Sequence, residues 1–257
     1  VTRGGDQLEG RNPVFEALHR KRRAVRRIWI DKGARPDPRI VKIEEIAAQT
    51  GVQVLRKDRR ELDEVSEGRV HNGVIAWADP LAELTVAQAI DRAFASGQDP
   101  LFVLCAELAY EHNLGAILRT AMGFGAHGVI VPTRRGAALS PVVQRVAMGA
   151  AEEIPVVRES FHSAAKHLRK AGIPLVAADH GGTPVGAAQL RGPLALVMGG
   201  EGSGLTSTQR QHCDRVVTIP LASELESLNV SVAAAILMYE KRRQDGWFSG
   251  PATQTPA

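Results

Sequence analysis

Residues 194–205 read Leu194-Ala195-Leu196-Val197-Met198-Gly199-Gly200-Glu201-Gly202-Ser203-Gly204-Leu205. Five apolar residues in a row, without polar alternation, are the pattern of a strand buried on both faces, as in a parallel sheet. The glycines that follow break the strand in a sharp turn and let a ligand come close to the backbone. In open α/β sheets, ligands bind beyond the carboxyl ends of the strands, which is where such a turn lies. It is not a phosphate loop, because Leu205 stands where lysine is required, and no phase of it satisfies G-x-G-x-x-G. Triphosphate binding and nicotinamide-linked chemistry both lose support. A purely structural turn is the competing reading, and four glycines in six residues weigh against it. Glu201 is the one acid inside the turn.

Outward from this stretch, apolar runs over 101–105, 128–131, 154–157, 173–177 and 216–219 have the same character. Helical patterns over 113–124, 140–148, 161–171 and 227–243 alternate with them. The sequence predicts an α/β domain over 100–246, a parallel sheet covered by helices on both faces. Upstream, strands over 25–30, 52–55 and 73–77 alternate with helices over 39–50, stopped by Gly51, and 59–65. Asn12-Pro13 reads as an N-cap and first helical residue. These make a smaller α/β unit over 5–78, joined by a linker over 79–99 that carries a helix at 85–95. The tail, 247–257, reads as disordered.

The chain has 257 residues, 44% apolar and 23% charged, which excludes disordered and collagenous classes. Its two cysteines, Cys105 and Cys213, have no second cysteine or histidine at ligand spacing. That argues against a disulfide scaffold and a metal centre, and for a reduced, cytoplasmic protein. No run of 18 apolar residues predicts a membrane span, and the opening residues lack a signal-peptide core. Residues 1–80 hold 17 Lys and Arg against 13 Asp and Glu, so the whole net charge of +4 lies there. Its densest part, 20–27, includes Arg22, Arg23, Arg26 and Arg27. Such a cluster favours a polyanion such as RNA, because binding phosphates releases counterions; a solvated helix end is an equal competitor.

Two further stretches carry candidate chemistry. Asn113 opens a predicted helix after the 101–105 strand, and Arg119 follows nearly two turns later in an apolar context. A buried arginine needs a partner, so a structural ion pair outweighs a functional role from spacing alone. In Ile219-Pro220-Leu221-Ala222-Ser223-Glu224-Leu225-Glu226-Ser227-Leu228-Asn229, either Ser227 or Asn229 can cap the last helix. The same helix start can hold an anion or a polar ligand edge, although capping is the weightier reading.

Taken in order, NLGAILRTAMGFGAHGVIV, LALVMGGEGSGL and IPLASELESLNVSVAAAILMYE resemble the three motifs of the SpoU/TrmH family of RNA ribose 2′-O-methyltransferases. GRNPVFEAL and Val70-His71-Asn72-Gly73-Val74-Ile75-Ala76 are similar to the RNA-binding domain of the subgroup that methylates a guanosine in bacterial 23S rRNA. The resemblance implies an α/β-knot with a deep trefoil, a homodimer, and S-adenosylmethionine held by backbone groups at Gly199, Ile219 and Leu228. It implies polar catalytic positions at Asn113, Arg119, Glu201, Ser227 and Asn229. A guanidinium is a poor base, so the role expected of Arg119 is to bind phosphate and stabilise a developing alkoxide. Tyr110-Glu111 replaces the family's Asp-Pro before His112-Asn113, Asn72 replaces Gln, and Leu221 and Ser223 replace Met and Gly, which leaves the modified nucleotide open. The same chemistry on tRNA or at an antibiotic-resistance site is an alternative. So is a non-catalytic ribosome-assembly factor, against which the retained polar residues argue.

Overall fold

The computed structural model describes residues 5–134, 136–200, 204–222 and 227–248. In chain order the elements are β1 (Asp6–Glu9), α1 (Arg11–Arg20), β2 (Val25–Asp31), α2 (Pro38–Thr50), β3 (Gln53–Lys57), α3 (Arg59–Val65), β4 (Val74–Ala78) and α4 (Val86–Ala95). There follow β5 (Leu101–Cys105), α5 (Glu111–Gly123), β6 (Gly128–Val131), α6 (Pro141–Val146), a 3-10 turn (Ala150–Glu152), β7 (Val156–Arg158) and α7 (Phe161–Lys170). β8 (Leu175–Pro184), β9 (Leu194–Met198), α8 (Ser207–Gln211), β10 (Arg215–Thr218) and α9 (Val230–Gln244) complete the chain. They form two compact units. One holds residues 1–83, 110–119 and 137–154; the other holds 84–109, 120–136 and 155–257.

The first unit is built on a mixed sheet in the order β1-β4-β2-β3, with β2 and β3 parallel and the other pairs antiparallel. Leu8, Ile28, Ile30 and Val74 from the strands meet Val14, Leu18, Ile40 and Ile43 from α1 and α2 in one buried core. α2 starts one residue before the expected 39 because Asp37 caps it, accepting from the N–H of Arg39 at 2.8 Å and of Ile40 at 3.3 Å. α1 also starts early. Its cap is Gly10, at φ 113, a conformation only glycine takes readily. Asn12 therefore lies inside the first turn, not at the cap. β1 has no apolar pattern of its own and owes its existence to pairing with β4. Gly115 of α5 lies against α6, where a Cβ would sit 2.6 Å from the Val146 Cβ.

The second unit carries the all-parallel sheet β10-β8-β9-β5-β6-β7. On one face α4 and α7 bury Ile90, Ala93, Phe161 and Leu168 against Phe102, Leu104, Ala195 and Val197. Alternate residues of β9 face the other way, towards α9. β5, β6 and β9 have the expected bounds. β8 does not stop at 177 but runs to Pro184, because beyond a break its Thr183 and Pro184 pair with Val217 and Thr218 of β10. That return needs Gly182, whose Cβ would lie 2.6 Å from the Val216 backbone. The expected helix over 227–243 begins at Val230, with Asn229, not Ser227, as cap.

Two buried cations tie the end of α9 down. Lys241 Nζ donates to the Gly192 carbonyl at 2.7 Å, and Arg242 donates to the carbonyls of Phe124 and Gly125 at 2.7 and 2.6 Å. Asp245 bonds both cations, and the guanidinium lies over Trp247. Burial holds the Lys241 ammonium below its usual pKa despite Asp245. Trp247 is thus part of the packed structure; residues 249–257 of the expected tail lie outside the described residues.

Asp245→Asn should therefore destabilise the protein by about 3 kcal/mol, the cost typical of leaving a buried charge uncompensated, read as a lowered midpoint in urea. A pH effect is expected at His127. Its Nδ1 accepts from the Leu101 N–H at 3.1 Å, and burial, reinforced by Arg242, holds its pKa below the usual 6.5. The unfolded chain protonates first, so this contribution is complete above pH 6.5 and is lost as pH falls through the lower folded value. Melting temperature should fall between about pH 7 and 5, and His127→Asn, whose Oδ1 keeps an acceptor at the Nδ1 position, should flatten that fall.

Candidate functional site

Parallel pairing brings the carboxyl ends of β5, β8, β9 and β10 to one edge of the larger sheet. There the Ala106 N–H donates to the Met198 carbonyl at 2.9 Å, holding the segment after β5 beside the glycine turn after β9. Gly200 and Gly204 exchange backbone hydrogen bonds at 2.8 and 3.2 Å, closing the turn on itself. A Cβ on Gly199 would lie 2.8 Å from the Gly204 carbonyl carbon. The glycine at 199 is thus demanded first by the turn's own closure, before any ligand approaches. Glu201 lies outside the described residues, as does Ser223.

Gly199, Ile219 and Leu228 are each half-buried, and none makes a hydrogen bond with a described residue. Backbone groups of partly exposed residues that the protein leaves unbonded are open to water or to a ligand. These three residues bracket the turns that follow β9 and β10. At the start of α9, Asn229 Oδ1 accepts from the backbone N–H of Ser231 at 2.9 Å and from its hydroxyl at 2.7 Å, while Ser227 is exposed.

On α5, Leu114, Ile117, Leu118 and Ala121 are buried, and Arg119 points away from them into solvent. The expectation of a buried, paired arginine is overturned: among the described residues Arg119 makes no ion pair. The apolar neighbours that suggested burial occupy the opposite face of the helix. Asn113 sits in the first turn, two residues after the helix begins, and is half-buried. Asn113 and Arg119 belong to the first unit, and Gly199, Ile219, Ser227, Leu228 and Asn229 to the second.

The basic cluster divides by direction. Arg23 is fully buried, donating to Asp6 and Gln144 at 2.6 Å each and pairing with Glu152. Burial pushes the Glu152 carboxyl above its usual range even beside that cation. Arg23 is therefore corrected from a surface cation to a core one. Arg22 donates to the carbonyls of Glu152 and Glu153 at 3.1 Å. Arg26 makes a two-pronged contact with Asp79 on the surface, and Arg27 lies over the Trp77 ring at 4.2 Å. Density of charge in the sequence carries no information on which side chains turn inward.

Neither thiol offers a nucleophile. Cys105 is buried, and burial pushes the Cys213 thiol up to about 11. Among the described residues no three metal-ligating side chains cluster, and no helix is long and apolar enough to cross a membrane.

Two sequence families match the chain: the SpoU rRNA Methylase family over residues 100–239, and RNA 2′-O ribose methyltransferase substrate binding over residues 7–84. An uncharacterized tRNA/rRNA methyltransferase of Mycolicibacterium smegmatis is 36% identical over 247 residues, covering 94% of this chain and 78% of its own. The 23S rRNA (guanosine-2′-O-)-methyltransferase RlmB of Pseudomonas putida is 37% identical over 244 residues, covering 93% and 96%. The crystal structure of the SpoU methyltransferase AviRb from Streptomyces viridochromogenes, in complex with the cofactor AdoMet, superposes with a TM-score of 0.78 at 27% identity. That match covers 96% of this chain and 92% of the other.

The burial of Arg23 has a measurable consequence. Arg23→Met should lower stability by about 3 kcal/mol, because Glu152 and Asp6 lose their counter-ion, while leaving the salt dependence of RNA binding by the folded protein unchanged. A flatter salt slope in this variant would return Arg23 to the RNA-contacting surface.

Proposed function

The chain belongs to the SpoU rRNA methylase family and is an S-adenosylmethionine-dependent RNA 2′-O-ribose methyltransferase, and from this premise we propose that its substrate is a guanosine ribose of 23S rRNA. The observation that carries the reading is the set of unbonded backbone groups at three half-buried residues, Gly199 just after β9, Ile219 just after β10 and Leu228 just before α9. They fit the cofactor, since an adenine edge and an amino-acid moiety require neutral backbone donors and acceptors in a partly dry site. Bound there, S-adenosylmethionine supplies an electrophilic methyl carbon on a sulfonium. The substrate assignment draws on the substrate-binding match over residues 7–84 and on the likeness to the Pseudomonas putida enzyme.

The work left to the chain is to position a ribose hydroxyl in line with that carbon and to ease loss of its proton. Arg119 holds the phosphate next to the reacting ribose and stabilises negative charge as it develops on the 2′-oxygen. An exposed guanidinium with no carboxylate partner among the described residues suits this role, and a guanidinium, which keeps its proton, is unsuited to be the proton acceptor. Asn113 and Asn229 supply neutral hydrogen bonds at the site, with Ser227 and Glu201 as the remaining polar members. The trefoil threading and a homodimer complete the proposal.

Arg119→Ala should cut single-turnover methylation of 23S rRNA by at least about a hundredfold at saturating RNA, in line with loss of a transition-state contact. Cofactor affinity by calorimetry should stay within a few-fold. A near-normal rate removes Arg119 from the mechanism. Wild-type protein that binds rRNA without methylating it identifies an assembly factor instead, and mapping of ribose methylation across rRNA and tRNA tests the choice of RNA.

A further inference from the structure

The first unit contains a cavity of about 310 Å³, at the small end of ligand pockets, which run from about 300 to 1,000 Å³. It is the size for a single small ligand. Two sequence stretches far apart in the chain converge on it, Gly10-Arg11-Asn12-Pro13 and the turn at Asn72, joined by Arg39 of α2 and by Arg145 and Met148 around the end of α6. The turn is set from behind by His71, whose buried ring accepts from the Gly73 N–H at 3.1 Å and meets Asp63 at 2.9 Å.

Three guanidiniums face one carboxylate in this lining. Arg11 is committed to Asp37 and to the Asn72 carbonyl, and Asp37 is itself committed to the start of α2. Arg145 donates to the Val70 carbonyl at 2.9 Å. Arg39 is different: its guanidinium lies over the Phe15 ring at 4.2 Å and has no carboxylate partner among the described residues. α1 begins here on Gly10 with no side-chain cap, so its first N–H groups add to the positive potential. The pocket is built for an anion, but not for an anion alone. Met148 is 38% exposed and presents an apolar, polarisable thioether. The amide of Asn12 touches its sulfur, while the amide of Asn72 has no partner among the described residues. Asn72 and Met148 are both held at positive φ, 51° and 56°. Glycine would relieve that strain, and strained positions of this kind gather at functional sites.

We propose that this pocket binds one nucleotide of the substrate RNA outside the methyl-transfer site, its phosphate at Arg39 and the start of α1, its base against Met148 and the amides of Asn12 and Asn72. The proposal rests on the RNA-methyltransferase reading and adds a second point of recognition to it. Apolar thioether, amide hydrogen bonds and a guanidinium are together what a splayed-out base with its phosphate requires.

The test uses full-length protein and protein-free 23S rRNA transcribed in vitro, with Kd measured over a range of salt. Arg39→Gln should raise Kd about tenfold and reduce the log–log salt slope by about one, as for one lost phosphate contact. Asn72→Gly removes the amide at a position where glycine fits better, so the protein stays folded; Kd should rise about fivefold with the slope unchanged, a loss of base contact alone. For both, the rate at saturating RNA and the affinity for S-adenosylmethionine should match wild type. Wild-type Kd and slope in both variants overturn the pocket while leaving the methyltransferase reading intact. A wild-type protein that neither binds nor methylates 23S rRNA overturns both. Binding of free guanosine monophosphate that Arg39→Gln abolishes, with RNA affinity unchanged, makes the pocket a free-nucleotide site and also overturns the proposal.

Discussion

Parallel pairing is the constraint from which the larger unit follows. Six strands that all run the same way cannot be joined by hairpins, so each connection crosses a face of the sheet and every strand ends at the same edge. The crossovers account for helices on both faces and for strands apolar along their whole length. The shared edge accounts for the site: Gly199 and Ile219 follow β9 and β10 directly, at the carboxyl ends of their strands. Gly199 and Gly182 are the two places where the constraint becomes steric. One lets the turn after β9 close upon itself, and the other lets β8 return alongside β10.

Charge follows a second rule, that a cation out of water must be bonded and a cation in water need not be. Lys241 and Arg242 pin the last helix because their donors are consumed by carbonyls and by Asp245. Arg23 does the same for the first unit through Asp6, Gln144 and Glu152. All three are buried, out of reach of a phosphate. Arg119 and Arg39 are the converse, cations without a carboxylate among the described residues. Structural and functional arginines are thus separated by how many of their donors the protein itself uses, and net charge is blind to this.

The same distinction explains what could be read from the sequence. β5, β6 and β9 were legible to the residue because a strand buried on both faces is an unbroken apolar run between turns. β1 and the far half of β8 were not, since Gln7, His180 and Gly181 carry no periodicity and their extension depends on partners elsewhere in the chain. Sequence spacing located Arg119 but gave it the wrong environment, because three apolar neighbours on one helix say nothing about the fourth side of that helix. The cap of α1 was misplaced by two residues, as Asn12-Pro13 imitates a start that Gly10 makes by its backbone alone. The activity came from motif order, which encodes ancestry. No single motif distinguished a cofactor turn from a structural one.

Methyl transfer from a sulfonium needs little acid–base help, because the leaving group departs neutral and the electrophile arrives activated; the barrier that remains is largely one of placing a weak nucleophile in line. For such a reaction the residues that hold the RNA deliver the nucleophile, and they should belong with the groups that fix its register. The division of the chain follows this demand. The unit that carries Arg119 on α5 is also the unit that carries the cavity at Arg39, Asn72 and Met148. The backbone groups at Gly199, Ile219 and Leu228 belong to the other.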